Sequence, residues 1–214
     1  MNTENIRIML VDDHAVVRSG LRRMLEQKQG MEVVAEADSG EQAYQIFVEV
    51  LPDVLVMDIS MPGMGGLEAA RRILARYPAA RILVFSMHDN AAFAAQALKA
   101  GIRGYVTKTG VSDELPKAVM EIAHGKTWIS PDVAQKIAVQ SLIGTENVLQ
   151  QLSTREFEVF RLLANGIGTE EIAEMLKISQ KTVANYHTMI KQKLGVSSPI
   201  ELVRVAIRNG VIDD

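Results

Sequence analysis

No cysteine occurs anywhere in this sequence, which excludes a disulfide framework, a thiolate metal site and a redox thiol. Nor is there a run of about eighteen apolar residues, the length a membrane-crossing helix needs. The stretch from Met1 to Ile8 lacks the basic and then apolar layout of a signal peptide, so the expected location is cytoplasmic, with no membrane partner. No internal repeat and no low-complexity segment is visible. Gly63, Gly65 and Gly66 are not followed by Gly-Lys-Ser/Thr, so they form no phosphate loop and are expected to shape a turn. His14, His88, His124 and His187 are scattered without metal-ligand spacing, and the eleven methionines and Trp128 read as core filler. The overall charge of −3 is small, but it hides an uneven distribution. Acids lead in the first half. Between Met175 and Ile200 stand Lys177, Lys181, Lys191 and Lys193 and no acid, a local excess suited to a phosphate-facing surface.

What is present is an ordinary globular composition, 48% hydrophobic and 23% charged, in a chain of 214 residues that suits two modest domains. The first half alternates short apolar runs with amphipathic stretches. Strands are expected at Ile6–Val11, Val33–Ala37, Val54–Met57, Ile82–Phe85 and Gly104–Val106, with helices starting near His14, Gly40, Gly65, Asn90 and Ser112. Five such βα repeats predict an α/β domain: a five-stranded parallel, doubly wound (flavodoxin-like) sheet over residues 1–124. Ser39-Gly-Glu-Gln42 reads as a capping box, and Gly30 and Gly101 as helix stops. Residues 125–149 read as a linker with a short helix from Pro131 to about Gln140, loosest over Ser141–Asn147. After Leu152 the pattern is helical only. Ser153-Thr-Arg-Glu156 and Ser198-Pro-Ile-Glu201 are capping boxes, and Ser179 caps a helix ending at Gly195. A separate all-α domain of four short helices is therefore expected over 150–214.

In such a sheet functional groups collect at the carboxyl ends of the strands. The first strand ends in Asp12-Asp13, the third in Asp58, the fourth in Ser86, and the fifth leads to Lys108. One aspartate after a strand is ordinarily a helix cap, one serine a turn residue, one lysine a surface charge. Their joint placement at successive strand ends is harder to reach by accident. Three converging carboxylates raise one another's pKa unless a cation shares the site, and a hard divalent ion such as magnesium is the usual remedy. The set suits a phosphoryl group: a carboxylate to accept it, and a metal, an ammonium and a hydroxyl to neutralise its oxygens.

On these residues, with Asp58 in Val-Met-Asp-Ile-Ser-Met-Pro and Lys108 in Gly-Tyr-Val-Thr-Lys, the segment 5–124 resembles the receiver domain of a two-component response regulator. The resemblance implies that Asp58 accepts a phosphoryl group from a sensor histidine kinase. It further implies that Asp13, Asp58 and the backbone carbonyl of Ser60 bind Mg2+, with Asp12 acting largely through water. Lys108 and Ser86 would contact the phosphoryl oxygens, and Tyr105 would move with Ser86 as the switch that reports to the outer face. Met87 stands where many receivers have a small residue, and its bulk is expected to restrict access. Phosphorylation adds charge and acceptor oxygens, biasing either the face from Asn90 to Val106 or the first and fifth helices toward a partner. Aspartyl-phosphate hydrolases carry a second carboxylate two residues after the nucleophile. Ser60 stands there instead, so a self-catalysed switch is expected and not a metabolic enzyme.

The helix beginning at Ser179 is two-sided. Val183, Tyr186, Ile190 and Leu194 fall at core spacing. Outward lie Lys181, Thr182, Ala184, Asn185, Thr188, Lys191 and Gln192, types that suit groove entry. Leu-Ser-Thr-Arg-Glu-Phe-Glu-Val (152–159), Glu-Ile-Ala-Glu-Met-Leu (171–176), Ile-Ser-Gln-Lys-Thr-Val (178–183) and Lys-Leu-Gly-Val (193–196) resemble a LuxR-type helix-turn-helix. With the receiver, that is the NarL/FixJ class, and the ending Ile-Glu-Leu-Val-Arg-Val-Ala-Ile-Arg-Asn-Gly is similar to the GacA/UvrY branch. The resemblance implies double-stranded DNA as partner. Ala184, Asn185 and Thr188 would lie nearest the bases, and Lys181, Thr182, Lys191 and Lys193 would hold phosphates. Tyr186 replaces the usual histidine. Gly168 replaces the usual Ser or Thr cap at a cost of about a few tenths of a kcal/mol. Ala184 replaces a common lysine, so lower affinity per monomer and a homodimer on phosphorylation are expected. Ile200, Val203 and Ile207 form one stripe, read equally well as dimer surface or bundle core.

Overall fold

The computed structural model describes residues 5–87, 89, 91–108, 113–142 and 148–212, with side chains throughout except at 140–142. The expected helix starts at Asn90 and Ser112 and the linker residues 143–147 lie outside the described residues. Two compact units result: Met1–His88 with Ala97–Pro131, and Asp89–Gln96 with Asp132–Asp214.

The first unit is built on parallel strands β1 (Ile6–Val11), β2 (Met31–Ala37), β3 (Val54–Met57), β4 (Ile82–Ser86) and β5 (Gly104–Thr107), alternating with helices α1 (Ala15–Glu26), α2 (Gly40–Val50), α3 (Gly66–Arg76), α4 (Ala91–Lys99), of which only the residues from Ala97 belong to this unit, and α5 (Glu114–Ala123). β3 is buried along its whole length, as are Ile8 to Val11 of β1, which is what helices on both faces of a parallel sheet produce. Because side chains alternate across a strand, Ile8, Leu10, Val54, Val56 and Val106 face Leu21, Leu25, Leu115, Val119 and Ile122 in one core cluster. Met9, Leu55, Met57, Val84 and Tyr105, one position out of step, are equally buried.

The strand order is β2-β1-β3-β4-β5-β6, so the sheet has six strands and not the expected five. The addition, β6 (Trp128–Ile129), pairs Gly104 with Trp128 and Tyr105 with Ile129. Two residues leave no periodicity for a sequence pattern to register. Side chains fasten this edge: Trp128 Nε1 and Ser130 Oγ both donate to Glu114 Oε1, at 3.1 and 2.7 Å, and the Thr107 amide donates to Ser130 Oγ at 3.3 Å. The order places β1 between β2 and β3, so the chain reverses direction of winding there. The carboxyl ends of β1 and β3 therefore flank the crevice where ligands of such sheets bind.

The second unit contains α6 (Pro131–Leu142), a 3-10 turn (Val148–Gln151), α7 (Thr154–Ala164), α8 (Thr169–Met175), α9 (Gln180–Leu194) and α10 (Pro199–Arg208). Its core gathers Phe157, Phe160, Ile172, Val183, Ile190, Leu202 and Ala206. The α4 segment belonging to this unit adds Phe93, edge-on to Phe157 at 5.1 Å, and Gln96, whose Nε2 donates to the Leu149 carbonyl at 2.7 Å. Of the three expected capping boxes, only that of α7 closes in both directions. Gln42 Oε1 accepts from the Asp38 amide and Glu201 Oε2 from the Ser197 amide, each one residue beyond the box position. Gly195 ends α9 in the left-handed region (φ 65°), as expected for a helix stop.

Gly66 begins α3 directly beneath the end of β3, and a Cβ there would overlap the carbonyl oxygen of Asp58. Gly20, inside α1, has nothing within 4 Å of that position. Gly66→Ala should therefore lower the urea unfolding free energy by about 2–4 kcal/mol. Gly20→Ala should raise it by about 0.5–1 kcal/mol.

Candidate functional site

The ends of β1, β3, β4 and β5 are tied together by backbone hydrogen bonds before any side chain is considered. The Asp12 amide donates to the Ala37 carbonyl, that of Asp58 to Val11 and that of Lys108 to Ser86. This brings Asp12, Asp58 and Lys108 into one pocket. Lys108 Nζ donates to Asp12 Oδ2 and to Asp58 Oδ2, each at 2.6 Å. The two carboxylate side chains are 2% and 5% exposed and the ammonium side chain 9%, so the bridge is shielded from bulk water. The remaining oxygens are held by backbone: Asp12 Oδ1 accepts from the His14 amide at 2.8 Å, Asp58 Oδ1 from the Ser60 amide at 3.1 Å. Burial pushes the Lys108 pKa down, but the hydrogen bonds and charges of Asp12 and Asp58 more than offset it and hold the group above its ordinary value.

Asp13 lies beside Asp12. Its Oδ1 is buried and takes no hydrogen bond, although His14 Nδ1 lies 3.0 Å away. Ligand atoms of Asp12, Asp13 and His14 lie within 4.8 Å of one another. Three carboxylates stand here against one ammonium, a donor set with room for a further cation. The oxygen-rich donors and the orphaned Asp13 oxygen fit a hard divalent ion. His14 was not expected in this cluster, since a histidine adjacent to two acids shows no ligand spacing. Arg18 was not expected either: its Nη1 donates to the Asp12 carbonyl at 2.6 Å. Ser86, at the end of β4, and Tyr105, the second residue of β5, are fully buried, whereas Met87 is 63% exposed.

A second set of expected residues lies on α9. Val183 and Ile190 are buried, Leu194 nearly so, and Tyr186 is half-buried against the bundle. Lys181, Ala184, Asn185, Thr188 and Gln192 are exposed and Lys191 partly so. The Thr182 hydroxyl pairs with that of the capping Ser179 at 2.8 Å, and Thr188 Oγ1 donates to the Ala184 carbonyl at 3.1 Å. Lys193 is placed differently from the others: its Nζ donates to buried Glu156 Oε2 at 2.6 Å. Gly168 precedes α8 as a cap with no side-chain hydrogen bond. Ile200 is 67% exposed, with Val203 and Ile207 half-buried, so Leu202 and Ala206 carry the core face of α10. Ile200 and Val203 border a groove of about 400 Å³ with Leu163 and His187.

Comparison with known proteins gives both halves a family. Residues 8–120 match the response regulator receiver domain, and residues 150–206 match the bacterial regulatory proteins of the luxR family. Response regulator GacA of Pseudomonas aeruginosa is 36% identical over 210 residues, 97% of this chain and 98% of that protein. Response regulator UvrY of Escherichia coli K12 is 36% identical over 208 residues, 96% of this chain and 95% of that protein. The structure of RcsB from Salmonella enterica serovar Typhimurium bound to promoter rprA in the presence of the phosphomimetic BeF3− superposes with a TM-score of 0.72. Its identity is 30%, covering 94% of this chain and 98% of that chain. Among the described residues no helix is long and apolar enough to cross a membrane.

Lys108→Met leaves Asp12 and Asp58 buried without their shared ammonium and should lower stability at pH 7 by about 3 kcal/mol. Because the folded pKa of Lys108 lies above its unfolded value, its contribution is complete below about pH 10 and is lost as pH rises through the raised value. The difference in unfolding free energy between wild type and variant should thus be flat from roughly pH 7 to 10 and shrink above that.

Proposed function

Because the chain belongs to the response regulators that join a receiver to a luxR-family DNA-binding domain, we propose that Asp58 is the phosphoacceptor whose modification controls binding of α9 to DNA. Regulation of transcription under phosphorylation control is the function of the family as a whole. The observation that carries the assignment to Asp58 is the pair of 2.6 Å hydrogen bonds from Lys108 to Asp12 and Asp58. The ammonium already sits where oxygens of an incoming phosphoryl group would need a donor.

In the proposed step, an Asp58 carboxylate oxygen forms a bond to phosphorus while the phosphorus–nitrogen bond of a sensor kinase's phosphohistidine breaks, returning the imidazole. Asp13, Asp58 and the Ser60 carbonyl would hold Mg2+, with Asp12 acting through water, and a bound ion would neutralise charge developing on the transferred oxygens. Lys108 keeps its charge throughout, supported by its raised pKa, and exchanges part of its carboxylate pairing for the phosphoryl oxygens. Ser86, buried beside it, supplies the hydroxyl to a further oxygen. Tyr105, fully buried on the neighbouring strand, would occupy the space that Ser86 leaves open or closed, which gives β5 and α4 two arrangements. Ser60 offers no acid/base group, so turnover beyond slow self-dephosphorylation is not expected.

At the other end of the switch, α9 enters the major groove. Ala184, Asn185 and Thr188 meet base edges, while Lys181, Thr182 and Lys191 reach phosphates. Phosphorylated chains pair through Ile200, Val203 and Ile207 and read two half-sites about one helical turn apart. The exposure of Ile200 supports this reading over a core role.

The test is DNA binding at fixed salt, on a duplex selected by the protein from a random-sequence pool, with and without Mg2+ and BeF3−. An affinity gain on the order of tenfold or more, absent in Asp58→Asn, is the expected result. Equal binding in both states would overturn control through Asp58.

A further inference from the structure

The lysine that closes α9 does not behave as its neighbours do. Lys181 and Gln192 project into solvent, whereas Lys193, its side chain 36% exposed, turns its Nζ back to Glu156 Oε2 at 2.6 Å across 37 positions of sequence. Glu156 is 1% exposed and also closes the capping box of α7, its Oε2 accepting the Ser153 amide at 2.6 Å. One buried carboxylate oxygen therefore fixes both the first turn of α7 and the last turn of α9. The other oxygen, Oε1, is buried and takes no hydrogen bond. Burial works to raise the Glu156 pKa, but the hydrogen bonds from Lys193 and Ser153 outweigh it and hold the carboxyl below its ordinary value. The ammonium also lies at the negative end of the α9 dipole, which favours its staying there.

We propose that Lys193 is a positioning residue, not a phosphate contact: its ion pair with Glu156 sets the pitch of α9, on which recognition of a specific DNA sequence depends. This inference rests on α9 being the DNA-reading helix. A helix-turn-helix reads bases with the N-terminal part of its recognition helix. Asn185 and Lys193 are separated by about 12 Å along the axis at 1.5 Å per residue, so an anchor at the far end governs the angle at which the reading end enters the groove. A charge locked to a buried carboxylate releases no counterions on DNA binding, whereas a free lysine meeting a phosphate does.

The experiment compares full-length Lys193→Gln, Lys193→Arg, Glu156→Gln and Lys191→Gln with wild type, all with Mg2+ and BeF3−. Each is measured on the duplex selected by wild type and on a scrambled duplex, across a salt series. Glu156→Gln is informative because glutamine still completes a capping box while the ion pair is lost, so α7 keeps its start. The expected result is a fall of roughly tenfold or more in affinity for the selected duplex in Lys193→Gln and Glu156→Gln, with scrambled-duplex affinity and salt slope unchanged. Lys193→Arg should restore selective binding. Lys191→Gln should instead weaken both duplexes and lower the salt slope by about one. A salt slope reduced by about one in Lys193→Gln, or tighter binding in Glu156→Gln as a freed ammonium reaches phosphate, overturns the positioning role. Failure of wild type to prefer any duplex would instead overturn the reading of α9 itself.

Discussion

Asp12 and Asp58 share the ammonium of Lys108 in a pocket closed to bulk water, and the first unit is organised around making that contact possible. The three residues come from the ends of three strands, and the order β2-β1-β3-β4-β5-β6 puts those ends within reach of one cation. Asp13 adds a third carboxylate, whose buried Oδ1 takes no hydrogen bond. The site is thus stable and still deficient in positive charge. That deficiency suits the pocket to a further cation.

The same economy of contacts appears in the second unit. Glu156 is a cap in sequence terms, yet its buried oxygen also accepts from Lys193. A four-helix domain with so small a core gains orientation of α9 from such shared groups. Breaking a buried pair by removing one partner costs more than the pair itself contributes, so orientation and stability are coupled at this point.

The strands and most helices were legible because their patterns are long and repetitive. The run from Ile6 to Val11 is buried from Ile8 onward, and α9 buries Val183 and Ile190 at the spacing its sequence shows. The placement of Asp12, Asp58 and Lys108 was legible because strand ends in a parallel sheet converge. Three things were not. β6 has two residues and owes its place to Glu114, Ser130 and Trp128 side chains, which no periodicity announces. His14 and Arg18 approach Asp12 through local backbone geometry after β1. Lys193 reads in sequence like any lysine at the end of a basic helix. Its partner lies on another helix, and a carboxylate and a phosphate demand the same thing of an ammonium.

The claim at the centre of this account is that the pocket at the ends of β1, β3 and β5 accepts a phosphoryl group on Asp58. Intact-mass and peptide mapping of the protein after incubation with phosphoramidate and Mg2+ tests it directly. Met87→Ala is treated in parallel so that access to the pocket is not limiting. The account predicts one added phosphoryl group, mapped to Asp58 by borohydride reduction, not formed when the metal is chelated beforehand and absent from Asp58→Asn. No phosphoryl group in either protein, or one mapped to another residue, would contradict it.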